Sequence, residues 1–133
     1  MSTSLTLLVT DDDERGRKLA ADVLAAQGFQ VLQAGTAAEA RAPQLAQTVD
    51  LVLLDIQLPD EDGFQIIAWI RQQPAWQGLP VIALTASVMP AYRDRIEASG
   101  FTGFISKPLS SVRSFVQTVR SYLPPMDGGG ATP

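Results

Sequence analysis

Leu5-Thr6-Leu7-Leu8-Val9-Thr10-Asp11-Asp12-Asp13 is an apolar run that stops in three consecutive carboxylates. A second run, Leu51-Val52-Leu53-Leu54, stops in Asp55. Short, near-continuous apolar stretches of this kind are typical of parallel strands covered on both faces. In open α/β sheets, ligands sit just beyond the carboxyl ends of such strands. If the two strands are neighbours, Asp11, Asp12 and Asp55 meet in one crevice. Two like charges about 4 Å apart repel by roughly 4 kcal/mol at an effective dielectric of about 20. Gathering three therefore calls for a cation, a raised carboxyl pKa, or both. The pattern suggests a magnesium-type site with one carboxylate left over to react.

Outward from these runs, strands and helices alternate five times. Strand Leu5–Thr10 leads to a helix over about Glu14–Gln27, stopped by Gly28. Strand Phe29–Gln33 precedes a helix capped by Thr36 and running to about Gln47, in which Pro43 should introduce a kink or an early end. Strand Asp50–Asp55 is followed by a turn, Leu58-Pro59-Asp60-Glu61-Asp62-Gly63, and by a helix with Phe64, Ile67 and Ile70 at helical spacing. Pro74 and Gly78-Leu79-Pro80 break the chain before strand Val81–Leu84. A fourth helix follows Ser87, with Pro90 in its first turn, where the missing N–H costs little. Gly100 precedes strand Phe101–Ile105, and a final helix from Ser111 to Leu123 sets Val112, Phe115, Val116, Val119, Tyr122 and Leu123 on one stripe. Five such units predict a doubly wound parallel sheet with helices on both faces. Residues 1–123 form one domain, and the Pro/Gly-rich stretch 124–133 reads as a flexible tail.

Composition narrows the chemistry. The chain of 133 residues is 46% hydrophobic with a net charge of −4, which suits a single soluble domain and gives no basic patch for nucleic acid. It has no cysteine, so thiolate metal sites and disulfides are excluded, in keeping with a cytoplasmic location. It has no histidine, so no imidazole acts as base, ligand or phosphate carrier. No apolar run approaches the ~20 residues of a membrane span, and residues 1–4 lack the basic start of a signal peptide.

Three more polar residues, Thr85, Ser106 and Lys107, fall at strand ends on the same edge. Each has an ordinary alternative. Asp11 to Asp13 also suit a helix N-terminus, Thr85 suits a turn, and Lys107 suits a solvated surface. Asp55 is harder to explain away, because a carboxylate ending a buried strand is costly to desolvate. Taken jointly, such residues after strands 1, 3, 4 and 5 favour a common site.

The segments Leu8-Val9-Thr10-Asp11-Asp12-Asp13, Leu53-Leu54-Asp55-Ile56-Gln57-Leu58-Pro59-Asp60-Glu61-Asp62-Gly63, Ala83-Leu84-Thr85-Ala86 and Ile105-Ser106-Lys107-Pro108 together resemble the receiver domain of two-component response regulators. The resemblance runs from about Leu5 to Leu123. It implies the flavodoxin-like strand order 2-1-3-4-5 and a phosphoacceptor role for Asp55, supplied by a phosphohistidine on a histidine kinase or histidine phosphotransfer protein. It further implies that Asp12 binds Mg²⁺ directly, that Asp11 acts mainly through water, and that the backbone carbonyl of Gln57 completes the metal site. Thr85 and Lys107 match the groups that bind phosphoryl oxygens, and Phe104 matches the aromatic switch residue. Tyrosine is common at that last position, so a switch hydroxyl is missing here. Gln57 and Ser87 match the positions that tune access of hydrolytic water.

On this reading the chain is a signalling domain that assists only its own phosphorylation and dephosphorylation, and it signals to a downstream protein through the face of its fourth helix, fifth strand and fifth helix. Arg113 and Arg120, with no acidic residue in the final helix, suit an acidic partner. A dehalogenase-type phosphatase expects a second aspartate where Gln57 stands, and a flavodoxin-like cofactor binder would not place Asp11-Asp12-Asp13 against a phosphate. A P-loop is absent. The remaining alternative is a receiver detached from a hybrid histidine kinase and acting as a phosphotransfer intermediate. Met1 directly before the first strand favours a free-standing protein, while the Gly-rich end leaves a linker open.

Overall fold

The computed structural model describes residues 5–41, 49–86, 89–107 and 111–123. Among these residues five strands alternate with five α-helices: β1 Thr6–Thr10, α1 Glu14–Ala26, β2 Gln30–Ala34, α2 Ala37–Ala40, β3 Val49–Asp55, α3 Gly63–Gln72, β4 Val81–Thr85, α4 Pro90–Ala98, β5 Gly103–Ser106 and α5 Val112–Ser121. All strand pairs are parallel, in the order β2-β1-β3-β4-β5.

Strand alternation sorts the core into two layers. Leu8, Val52, Leu54, Val81 and Ala83 face Ala37 and Ala40 of α2, Ile66, Ile67 and Ile70 of α3, and Ile96 of α4. Leu7, Val9, Leu51, Leu53, Ile82 and Leu84 face Ala20 and Leu24 of α1 and Phe115 and Val119 of α5. Both faces are covered, which is why these strands are apolar without alternation. Each fully buried Leu or Ile stabilises the fold by about 1.5–3 kcal/mol.

Helix ends follow local chemistry. The Asp13 side chain accepts from the Gly16 N–H, Thr36 from Glu39, and Ser111 from Ser114. Asp62 and Gln65 form a capping box at α3. Gly28 and Gly100 have φ of +97° and +103°, the left-handed conformation that closes α1 and precedes β5.

One strand boundary and the burial of one helix residue differ from the sequence-based expectation. The final strand begins at Gly103, not Phe101. Thr102 uses its backbone N–H to reach the Val81 carbonyl and its Oγ1 to accept from the Val81 N–H, so the regular ladder starts only after it. Phe101 is buried all the same. Val112 is 53% exposed, although its spacing fits the apolar stripe of α5; a period identifies a face but not where along the helix its neighbour ends. The expected kink at Pro43, the far end of the second helix near Gln47, Ser87, Pro108 and the tail 124–133 lie outside the described residues.

Candidate functional site

Register brings the polar strand ends together. Thr10 pairs with Leu54, so Asp11 is level with Asp55; Asp55 pairs with Leu84, and Thr85 pairs with Ser106. The Lys107 N–H then bonds the Thr85 carbonyl at 2.8 Å, which fixes the base of the lysine. Its Nζ lies 2.9 Å from Asp55 Oδ2 and 3.3 Å from both carboxylate oxygens of Asp11. The other Asp55 oxygen accepts the Gln57 N–H at 2.9 Å, and Asp11 Oδ1 accepts the Asp13 N–H at the same distance. Asp11, Asp55 and Thr85 are buried, and Asp12 is exposed.

Carboxylate oxygens of Asp11, Asp12 and Asp55 all lie within 4.8 Å of one another. Three hard oxygen donors in that space suit a small divalent cation such as Mg²⁺, which prefers one or two carboxylates and fills its remaining positions with water and substrate oxygens. The capping alternative applies to Asp13 and not to Asp11 or Asp12: only Asp13 bonds the start of α1.

Burial pushes the Asp55 carboxyl up to about 6, against the opposing pull of Lys107 and the Gln57 N–H; a hydrogen bond with Asp11 raises it further. Burial lowers the Lys107 ammonium, but the two carboxylates outweigh it and its pKa is raised. Because Asp55 binds its proton more tightly in the folded chain, its contribution to stability is fully present below about pH 4 and is lost as pH rises through about 6. Without divalent cations, Asp55→Asn should therefore melt at or above the wild-type temperature near pH ~8, with the advantage disappearing between about pH 6 and pH 4. Thermal melts across this range check it; a pH-independent loss of stability in Asp55→Asn would contradict the assignment.

The floor of the site depends on a glycine. The Gly63 N–H bonds the Ile56 carbonyl at 2.6 Å, and a Cβ on Gly63 would sit 2.8 Å from the Ile56 Cα and 3.1 Å from the Asp55 carbonyl. Only glycine lets α3 approach this closely behind Asp55 and Gln57. The turn is also tied to α2: Asp60 accepts the Ala37 and Ala38 N–H groups, and Glu61 forms a two-pronged ion pair with Arg41.

A cavity of about 370 Å³ opens over these groups, lined by Asp12, Asp55, Ile56, Gln57, Thr85, Ala86, Tyr92 and Lys107. Tyr92 was not legible as a site residue, since a tyrosine in the first turn of an amphipathic helix carries no sequence signal for a strand-end crevice. Burial is the main cause raising its phenol pKa, with the charges of Asp62 and Asp55 adding to it and Arg95 opposing. Phe104 stands apart from the cavity, half-buried, with the Arg93 guanidinium 4.7 Å above its ring.

A buried carboxylate faces an ammonium at the carboxyl edge of a 2-1-3-4-5 sheet, and the sequence comparisons place a chain with this arrangement in a family. The profile of the response regulator receiver domain family matches residues 7–120. The chain belongs to this family, the receiver domains of two-component signalling. It is 34% identical over 118 residues to the polar-differentiation response regulator DivK of Brucella ovis, covering 89% of this chain and 95% of that one. Among solved structures, chemotaxis response regulator CheY4 of Vibrio cholerae superposes with a TM-score of 0.85 at 26% identity, covering 91% of this chain and 100% of the other. The signal receiver domain of a signal transduction histidine kinase from Syntrophus aciditrophicus gives 0.80 at 25% identity, over 97% and 93%. No helix among the described residues is long and apolar enough to cross a membrane.

Proposed function

We propose that Asp55 accepts a phosphoryl group from a phosphohistidine on a histidine kinase or histidine phosphotransfer protein, and that the modified domain signals to a downstream protein. The carrying observation is the bridge from Lys107 to both Asp55 and Asp11, which join from three separate strands. An Asp55 oxygen attacks phosphorus, the bond to the donor imidazole nitrogen breaks, and that nitrogen keeps the electron pair and takes up a proton. Asp12, Asp55 and the Gln57 carbonyl, with Asp11 behind them, would hold Mg²⁺, which would neutralise charge on the phosphoryl oxygens. Lys107 adds a second positive charge as it turns from the carboxylates to the incoming anion, and Thr85 contributes its hydroxyl. Beside the site, a cavity of about 340 Å³ lined by Leu19, Ala20, Leu84 and Phe115 gives a donor helix an apolar seat that adjoins Lys107.

The output face comprises α4, β5 and α5. Exposed Met89 lies at the N-cap of α4 and exposed Val112 at the start of α5, with Arg93 over Phe104 between them. The Arg120 guanidinium bonds Gln27 and lies 5.1 Å from the Phe29 ring, so it belongs to the α1 contact and not to an acidic partner. Of the two arginines in α5, Arg113 is the one suited to that role. Movement of Thr85 towards the phosphoryl group opens space that Phe104 fills by turning inward, a two-state repacking. The likeness to a histidine kinase's receiver also supports relay onward to a phosphotransfer protein, which transfer of label from Asp55 to such a protein would reveal.

Amide shifts test the reading in two steps. Mg²⁺ should move the loops at Asp12 and Asp55 with an affinity weakened by Asp12→Asn, and beryllofluoride, standing in for the phosphoryl group, should then move Phe104 and α4 as well. Silence at Phe104 and α4 with full saturation of Asp55 would refute the switch, and equal Mg²⁺ affinity in the variant would refute the ligand set.

A further inference from the structure

The cavity over Asp55 has one wall that does not come from a strand end. Tyr92, in the first turn of α4, lines it together with Asp12, Asp55, Gln57, Thr85 and Lys107. Its ring is fixed from behind, edge-on to Phe64 at 5.7 Å and 82° between planes. Phe64 is itself held by Phe101 at 6.1 Å and by the Arg95 guanidinium 3.8 Å above its ring. The phenol is thus supported by three packed side chains, yet among the described residues its hydroxyl makes no hydrogen bond. Packing against Phe64 accounts for an aromatic ring at this position but not for the oxygen. A half-buried phenol is a neutral donor at physiological pH. A donor that lines this cavity and has no partner among the described residues is suited to an oxygen of the ligand.

We propose that Tyr92 is a phosphoryl-binding residue: its hydroxyl donates to an oxygen of the anion carried on Asp55, adding a side-on donor to Thr85 and Lys107. This role rests on the assignment of Asp55 as phosphoacceptor. A hydrogen bond to a charged group exceeds a neutral one in strength, and its loss is felt in affinity for the anion.

The test uses the whole chain with saturating Mg²⁺ and beryllofluoride as probe. Tyr92→Phe removes only the oxygen, and because that oxygen has no partner among the described residues the variant should fold and melt like the wild type. Its beryllofluoride affinity should fall about tenfold, while its Mg²⁺ affinity in the absence of beryllofluoride stays unchanged. Tyr92→Leu, which also removes the ring, should lose at least as much. Wild-type beryllofluoride affinity in Tyr92→Phe overturns the role of Tyr92 alone, and so does a parallel fall of Mg²⁺ affinity and melting temperature, which marks a structural residue. Failure of the wild-type chain to bind beryllofluoride at Asp55 overturns this role and the phosphoacceptor assignment together.

Discussion

Asp55→Ala should abolish phosphorylation entirely. Incubated with acetyl phosphate and Mg²⁺, the wild-type chain should acquire one acid-labile phosphoryl group, mapping to Asp55, and the variant none. The expectation follows from geometry. Among the carboxylates of the cluster, Asp55 alone is buried at the centre of the carboxyl edge, lines the open cavity and contacts Lys107 at hydrogen-bond distance for a charged pair. Asp11 is as buried but does not line that cavity, and both its oxygens are engaged by Lys107. Asp12 is exposed. Lys107→Met should leave the site of labelling unchanged and slow it by about 10²-fold, the usual effect of removing one donor that meets developing charge. Chelation of Mg²⁺ should stop labelling without unfolding the domain, because the two core layers contain no ligand residue. Label on Asp11 or Asp12, or undiminished label in Asp55→Ala, would reverse the assignment.

The largest loss of stability from a single polar side chain should come from Arg71, far from the site chemistry. Its Nη1 donates to the carbonyls of Trp76 at 2.9 Å, Gln77 at 3.3 Å and Leu79 at 2.7 Å. Its Nε donates to the Gly100 carbonyl at 3.0 Å, and Nη2 reaches Thr102 Oγ1 at 3.4 Å. One guanidinium therefore organises the connection from α3 to β4 and the corner before β5, which is the stretch that delivers Thr85 and Phe104. Burial lowers the Arg71 pKa, but arginine remains charged throughout the accessible pH range. Arg71→Ala strands two partly buried carbonyls, those of Trp76 and Leu79, each at a cost of roughly 1–3 kcal/mol before water replaces some of the lost bonds. The net loss should be about 3 kcal/mol, a fall of about 10 °C in melting temperature. Arg71→Lys should recover little, since an ammonium cannot reproduce the planar fork. Melting temperatures within a degree or two of wild type would show that solvent replaces the guanidinium.

The sequence by itself determined which segments become strands and helices, and that Asp11, Asp12, Asp55, Thr85 and Lys107 lie at one edge. These features are local. An apolar run without alternation marks a strand covered on both faces, Thr36 and Ser111 cap helices through groups three residues away, and Gly28 closes α1 through its own φ. Strand order was legible only through resemblance to a family, because nothing in an apolar run names its neighbour. Tertiary structure alone decided the rest. Lys107 meets Asp55 and Asp11 across 52 and 96 residues of chain. Tyr92 entered the cavity wall, Arg71 became the tie between two loops, Arg120 turned to α1, and Val112 was left in solvent. The physical reason is the same in each case. Period and capping fix a residue's direction relative to its own element, whereas its contacts depend on register and on how neighbouring elements pack, and both are set by the whole core at once.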